Sequence, residues 1–488
     1  MKTQDTDTTG VPMASPPPAR SKGNRWFAGI GALIVVALVV GLSVAVFAQL
    51  GQRHGGHGAG VQAPPSGQWV DVLNGYTLTS LAAARSDAAV LYACATRSGL
   101  DRASNEMNFT VLRSSDFGSH WQDLSSKVVL SAKCQLAINP GNSNDVYAVG
   151  APSSAQSPDA LQHTTDGGQT WTTIQPTLHV PGIQSPVAWH IQQISIEGGR
   201  LFGLQWVFQG GPQPNASLQP QVSFQFPRLV TSVDGGHTWT ALNNQFGTTK
   251  QGVRNYVVDS SNSSTIYALV GGFLLPVQPP IVRQGGGPML ADGYGGVDEL
   301  YKTTDGGATW HLLLKGLPFA SQVYLAIGKP DLVYVGGSIG PLPLNRTEPN
   351  NPIAAVGAFL LQVSSDSGTT WHTVPPAPGV TSVQGWFVSS DGQVYAYTAN
   401  GGAPGGQPTA VSGTAVPSVS TPGTSYITTA PSSSIQRYDP ATNKWSAVTN
   451  PPTSGTFLAV TPVDANGGAV LWFMGTSNGK AALYRYVV

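Results

Sequence analysis

Three recurring marks predict an all-β chain folded as a seven-bladed propeller of four-stranded blades, carried by one N-terminal transmembrane helix. The first is S/T-x-D-x-G-x-x-W, present as SSDFGSHW (114–121), TTDGGQTW (164–171), SVDGGHTW (232–239), TTDGGATW (303–310) and SSDSGTTW (364–371). The second is an apolar-aromatic-small strand, from LYA (91–93) through VYA (146–148), LFG (201–203), IYA (266–268), VYV (333–335) and VYA (394–396) to LWF (471–473). The third is a Trp followed three residues on by an aliphatic, from Trp69/Val72 to Trp445/Val448. The last two marks each occur seven times. Trp-to-Trp spacing runs from about 50 to about 74 residues, which holds a four-stranded blade of roughly 50 residues plus loops.

Composition agrees. The 488 residues carry 59 Gly and 38 Pro, and charged residues are 10% of the chain, well below the usual quarter. With 12 Trp, 15 Tyr and 15 Phe there is ample core material. Many short strands joined by turns fit this better than disorder or helices. Formal net charge is +0 and there is no basic stripe, so nucleic acid is excluded as an expected partner.

The N-terminus divides into three parts. Residues 1–25 are polar and Pro-rich and read as a disordered cytoplasmic tail. Trp26 to Ala48 contains no charged residue. As a helix it is roughly 34 Å long, enough to cross a hydrocarbon core of about 30 Å. Arg20, Lys22 and Arg25 precede it and Arg53 alone follows closely, which puts everything after residue 50 outside the cytoplasm. The alternative is a signal peptide cleaved after Ala48, whose apolar region would be longer than usual. Residues 49–67 read as a flexible Gly/Pro linker, with His54 and His57 as linker residues, and 68–488 as the propeller.

Each motif is expected to form a hairpin. The carboxylate of Asp116, Asp166, Asp234, Asp305 or Asp366 accepts backbone N–H groups across its own turn, Gly two residues on permits positive φ, and the Trp begins the outgoing strand. Five equivalent positions around a ring cannot converge on one site, so these Asp residues read as structural, neither catalytic nor metal ligands. YDPATNKW (438–445) is a degenerate sixth turn, and His120, His237, His311 and His372 read as parts of the repeat.

The ends predict closure. Leu483-Tyr484-Arg485 matches Leu300-Tyr301-Lys302, a strand that leads into a turn, but its outgoing strand is missing. Gln68 to Val72 supplies it from the other end, leaving no open edge. Cys94 and Cys134 lie on the outer side of the anchor and form a candidate disulfide, worth about 3–4 kcal/mol in the chain-entropy model; two buried thiols are the alternative.

The turn motif resembles that of the Asp-box, or bacterial neuraminidase repeat, propellers over residues 68–488. That set includes sialidases, xyloglucan-hydrolysing propellers, sortilin-type receptors and photosystem II assembly factor propellers. The resemblance implies architecture more than activity, since one propeller hosts many chemistries. Sialidases of the set carry F/Y-R-I-P and a Tyr nucleophile with a Glu partner. Here there is no Arg-Ile-Pro, and Glu106, Glu197, Glu299 and Glu348 are the only Glu residues. No catalytic residue, metal ligand or cofactor is expected, and no ligand-binding residue is assigned. The long inserts 150–160, 208–227, 271–297, 338–357 and 399–433 follow second strands and share the face opposite the turns, the expected docking face for a protein or glycan. Asn108, Asn215, Asn262 and Asn345 match the glycosylation triplet. Three readings follow: a membrane-anchored binding or assembly scaffold first, then a glycan-directed hydrolase, then a structural envelope protein.

Overall fold

The computed structural model describes residues 64–97, 109–128, 130, 134–150, 161–179, 188–209, 223–224, 227–243, 246, 252–271, 298–317, 322–326, 329–338, 359–377, 382–399, 433–464 and 467–488. The tail 1–25, the candidate span 26–48, most of the linker 49–67, most of the inserts, and Asn108, Asn215 and Asn345 lie outside these residues. Among the described residues no helix is long and apolar enough to cross a membrane.

All described regular structure is β, arranged as seven antiparallel blades. Blade 1 holds β2 (Tyr76–Ala83), β3 (Leu91–Arg97), β4 (Phe109–Ser114) and β5 (Gln122–Asp123). Blade 2 holds β6 (Cys134–Asn139), β7 (Asn142–Gly150), β8 (Leu161–Thr164) and β9 (Thr172–Ile174). Blade 3 is built on β11 (Ala188–Glu197), β12 (Arg200–Gln209), β14 (Arg228–Ser232) and β15 (Thr238–Ala241). Two short strands extend it: β10 (Thr177–His179) lies parallel to β15, and β13 (Ser223–Phe224) pairs with β12. Blade 4 holds β16 (Gly252–Asp259), β17 (Asn262–Gly271), β18 (Asp298–Thr303) and β19 (His311–Leu317). Blade 5 holds β20 (Gln322–Ala326), β21 (Lys329–Ser338), β22 (Phe359–Ser364) and β23 (His372–Thr373). Blade 6 holds β24 (Ser382–Val388), β25 (Val394–Ala399), β26 (Ser433–Asp439) and β27 (Lys444–Thr449).

Blade 7 takes strands from both ends of the ring. β28 (Thr456–Asp464), β29 (Gly467–Ser477) and β30 (Lys480–Val487) come from the C-terminal side, and β1 (Trp69–Asn74) completes the sheet beside β30. The register runs from Trp69↔Tyr486 to Asn74↔Ala482, and the Gly67 N–H donates to the Val487 carbonyl at 2.9 Å. The expected closure is therefore present, and it removes two open edges at once.

Both faces of each sheet are apolar because each is covered by a neighbouring blade. The aromatics of the second-strand mark sit deepest: Tyr92, Phe202, Tyr334 and Trp472 are fully buried. Burial of such side chains contributes about 1.5–3 kcal/mol each. Polar contacts then stitch six of the seven seams between blades. Tyr92 donates to the Ser143 carbonyl at 3.0 Å, Gln193 Nε2 to the Tyr256 carbonyl at 3.1 Å, and Tyr267 to the Ser367 carbonyl at 3.1 Å. Tyr334 reaches the Gly392 carbonyl at 2.6 Å, Trp69 Nε1 the Asn450 carbonyl at 2.6 Å, and Arg485 Nη1 the Phe117 carbonyl at 2.5 Å.

One detail departs from the sequence reading. Trp121, Trp171, Trp310 and Trp371 precede their outgoing strands, which in blades 1 and 5 are only two residues long. The indole folds back on the turn or reaches to the next blade: Trp371 Nε1 donates to the Gly368 carbonyl at 3.0 Å, and Trp310 Nε1 to the Asn243 carbonyl at 2.6 Å.

Candidate functional site: the two faces of the ring

Strand direction sorts the connections into two faces. Inner strands such as β2 run toward the face that carries the first hairpins and the five Asp turns. Connections from second to third strands leave from the opposite face, here called the loop face. In blade 7 that connection is the two-residue turn Asn478-Gly479, with φ of 50° and 75°, the conformation of the tightest hairpins.

On the turn face the five Asp turns share one hydrogen-bond set. The Ser or Thr two residues before the Asp donates its hydroxyl to Asp Oδ1 at 2.7–2.8 Å. The same hydroxyl accepts the N–H of the Gly two residues after the Asp at 2.8–3.0 Å. Oδ1 also accepts the N–H of the residue four further on at 2.8–2.9 Å. Oδ2 accepts that residue's hydroxyl at 2.5–2.6 Å in Thr170, Thr238, Thr309 and Thr370. In the first turn His120 replaces the Thr, with Nδ1 at 2.5 Å from Asp116 Oδ2.

These bonds favour the ionised carboxylate. The Thr238 hydroxyl lowers Asp234 to about 2, and the Thr370 hydroxyl lowers Asp366 to about 2. Asp166 and Asp305 move the same way for the same reason. For Asp116 burial opposes the shift, and the bonds from His120 and Ser114 outweigh it. The structure thus puts Asp116, Asp166, Asp234, Asp305 and Asp366 in five separate turns and brings no two of them together. Among the described residues no three His, Cys, Asp or Glu side chains form a group fit to hold a metal ion.

At the mouth of the ring on this face lies a charged cluster. Arg85, just past the inner strand of blade 1, makes a paired contact with Glu197 of blade 3: Nη2 to Oε1 at 2.6 Å and Nη1 to Oε2 at 2.9 Å. The pair skips blade 2 and so reaches across one side of the mouth. Burial raises the Glu197 carboxyl above its ordinary range, Arg85 pulls it down, and Asp259 of blade 4 pushes it up again.

The loop face carries two further clusters. Asp123 on β5 collects one partner from each of the other three strands of blade 1 and one from the segment after β5. Oδ2 accepts Tyr76 at 2.7 Å and Arg97 Nη2 at 2.7 Å, while Oδ1 accepts Thr110 at 2.7 Å and the Ser125 N–H at 2.8 Å. Burial works against the charge, but the bonds from Thr110, Ser125 and Arg97 hold this carboxyl well below the usual range. In blade 4, Arg254 Nη1 on β16 lies 2.9 Å from both oxygens of Asp298 on β18. The pair spans β17 at Gly271, where a Cβ would stand 1.8 Å from Asp298 Oδ1. Burial outweighs the Arg254 charge and pushes Asp298 up to about 6.

Cys94 on β3 and Cys134 on β6 are bonded to each other, with Cα atoms 5.6 Å apart, and clamp blade 1 to blade 2. Sequence reading missed the Ser/Thr hydroxyl, the side chain four residues after each Asp, and the Asp123 and Arg254–Asp298 clusters. The first two were visible as near-invariant letters across the five motif copies. The clusters occur once each and leave no repeat signal.

No family model matches the chain, and none of the curated proteins compared matches it either. Among solved structures it is similar to YCF48 bound to D1 peptide, at 12% identity and a TM-score of 0.44, covering 88% of this chain and 97% of that one. YCF48 from Cyanidioschyzon merolae gives 10% identity and a TM-score of 0.46, covering 86% and 99%. The GH74 xyloglucanase from Xanthomonas campestris gives 14% identity and a TM-score of 0.32, covering 87% of this chain and 46% of that one.

Proposed function

We propose that this chain is a membrane-anchored, extracytoplasmic binding or assembly scaffold built as an Asp-box propeller. The observation that carries the reading is the unequal use of the two faces. The turn face spends its carboxylates on holding hairpins, as the five shared hydrogen-bond sets describe. The loop face receives most of the extra chain length: Gly271 to Asp298 and Ala399 to Ser433 each separate paired neighbouring strands, where blade 7 needs only two residues. Connections longer than about 12–15 residues are uncommon in compact domains and are a frequent source of binding surface. The apolar run 26–48 supplies the anchor in this reading, and the Cys94–Cys134 bond suits an oxidising compartment.

The test is photo-crosslinking of the full chain in its native membrane, followed by mass spectrometry, with a reporter after Val488 that is active only outside the cytoplasm. Scaffold function expects a reproducible protein partner captured through loop-face positions and an active reporter. A soluble product beginning at Gln49 would remove the anchor, and capture through the turn face alone would remove the scaffold face.

A glycan-directed hydrolase is the second reading. Glu197 and Asp259 favour it, as acids of neighbouring blades that interact at the ring mouth while burial keeps Glu197 protonated more readily than usual. Glycan turnover abolished by Glu197→Gln in a protein that still folds would move this reading to first place.

A further inference from the structure

We infer that Arg485 is a charge latch on the closing seam: it ties the last strand of the ring to the first Asp turn, and Asp116 serves there as its counter-charge as well as the holder of its own hairpin. An irregularity among the five turns points to it. The residue after the Asp is glycine in three of them, Gly167, Gly235 and Gly306, with φ of 70–75°. In the other two it is Phe117 at 55° and Ser367 at 58°, side chains placed in a region that L-residues rarely enter. In those same two turns the left-handed carbonyl receives a cation from the third strand of the preceding blade. Arg485 Nη1 on β30 donates to the Phe117 carbonyl at 2.5 Å and to the Ser119 hydroxyl at 3.1 Å. Lys302 Nζ on β18 donates to the Ser367 carbonyl at 2.9 Å. Among the described residues no side chain donates to the carbonyls of Gly167, Gly235 or Gly306. A glycine peptide turns its carbonyl over at little cost, whereas an L-residue fixed at positive φ holds the carbonyl in one direction. Phe117 and Ser367 therefore mark the two turns that act as sockets.

The two sockets differ in where the counter-charge comes from. Lys302 lies over the Tyr267 ring at 5.1 Å, and the acids that favour its charge are Asp259 and Asp331, neither of them the Asp of the turn it enters. Arg485 is 5% exposed, and burial works against its charge; Asp116, the Asp of its own socket, offsets that. Burial opposes the Asp116 charge as well, and the bonds from His120 and Ser114 outweigh it. A buried cation left without its counter-charge costs far more than a lost surface pair. The place of this pair gives it a task. β30 meets blade 1 by two routes. One runs through its ladder with β1, which leads on past Gly75 into β2. The other is Arg485, which goes straight to the turn between β4 and β5. The ladder alone leaves the last three strands attached to the first blade through a single six-residue strand, and the latch gives them a second hold.

Hydrogen exchange of the full chain in detergent, read by mass spectrometry on peptides from β1, tests the latch at a strand that none of the substitutions touches. Asp116→Asn keeps the shape of the side chain and removes its charge. Asp305→Asn makes the same change in a turn that has Gly306 and receives no cation. Asp116→Asn is expected to speed exchange in β1 by about tenfold or more, while Asp305→Asn leaves β1 at the parent rate and loosens only its own blade. Arg485→Met should match Asp116→Asn. Arg485→Lys should keep most of the protection, because Lys302 fills the equivalent socket with an ammonium. If Asp116→Asn loosens residues 114–121 and leaves β1 unchanged, Asp116 holds its own hairpin and nothing more, and the latch is overturned. Equal loosening of β1 by Asp305→Asn overturns it too, since any damaged turn would then open the seam. Should Arg485→Met fail to fold, Asp116→Asn and Arg485→Lys still decide: fast exchange in the first with near-parent exchange in the second supports the latch, and any other order refutes it.

Discussion

Gly271→Ala tests whether the Arg254–Asp298 pair is the fastening of blade 4 that its geometry implies. Gly271 pairs with Gly252 on the neighbouring strand and does not occupy the positive-φ region, so alanine suits its backbone and by conformational entropy alone would stabilise by about 0.4–1 kcal/mol. The space above it forbids this. The new Cβ would stand 1.8 Å from Asp298 Oδ1 and 2.9 Å from Arg254 Cδ. Asp298, with a side chain only 2% exposed, must swing away and lose both contacts at 2.9 Å. Breaking a buried ion pair costs about 3–5 kcal/mol when the orphaned charge stays buried. Arg254 is 28% exposed and recovers some hydration, which brings the expected loss to about 2–3 kcal/mol. Urea unfolding of the full chain in detergent, followed by tryptophan fluorescence, measures it. The decisive comparison is with Asp298→Ala, which deletes the atoms that the methyl would strike. In that background Gly271→Ala should cost less than about 0.5 kcal/mol, a strongly non-additive cycle. Additive losses would mean that the damage lies in the β17 backbone, and the ion-pair argument would be wrong.

Thr303→Val should destabilise by about 1–3 kcal/mol, because it strands the buried Gly307 N–H that the Thr303 hydroxyl accepts at 3.0 Å; Thr303→Ser, which keeps the hydroxyl, should stay near the parent in the same urea assay. Stability should also fall as pH rises from about 4 to 6. Asp298 is pushed up to about 6 in the folded ring against an ordinary value near 3.9, so the folded state binds the proton more tightly. That contribution is complete below about pH 4 and gone above about pH 6, with an upper bound of about 3 kcal/mol. Asp298→Asn should flatten this part of the profile, and an unchanged slope would reassign it to another group. Deleting residues 68–75 should unfold or aggregate the protein by exposing β30, whereas deleting 51–63 should leave its melting curve alone. Equal melting of the two deletions would refute the closure.

Blade number and closure were legible because the aromatic-small strand and the Trp mark recur with every blade, and because one strand lacked its partner at each end. The Asp turns were half legible. Gly118, Gly168, Gly236, Gly307 and Gly368 all take the positive φ expected of them, but so does the residue before each, including Phe117 at 55° and Ser367 at 58°. A left-handed Phe or Ser cannot be read from its letter; it is imposed by the carboxylate bonds on either side. The two added strands of blade 3 were also invisible. β10 pairs in parallel with β15 through three residues, too short for any period to reveal. Asp123 and Asp298 were unreadable for a different reason. Their partners Tyr76, Arg97 and Arg254 lie many residues away, and nothing short of the final register brings them together.

The shared construction of blade 7 sets a clock on folding. Of the described strands β1 is the first to be synthesised and β30 the last, with roughly 400 residues between them. At about 5–20 residues per second, Trp69 to Asn74 waits roughly 20–80 s before its ladder can form. Throughout that interval Trp69, Val70, Val72 and Leu73 form an unpaired, largely apolar strand. Blades 1 to 6 can settle meanwhile, each against its predecessor, but the ring gains its last seam only at the end. Newly made chains therefore spend most of their synthesis as an open arc with a sticky end at each side, and crowding of nascent chains favours pairing between neighbours over pairing within one chain. A ring whose last seam joins its two ends is, during assembly, the one most dependent on keeping its first strand unoccupied.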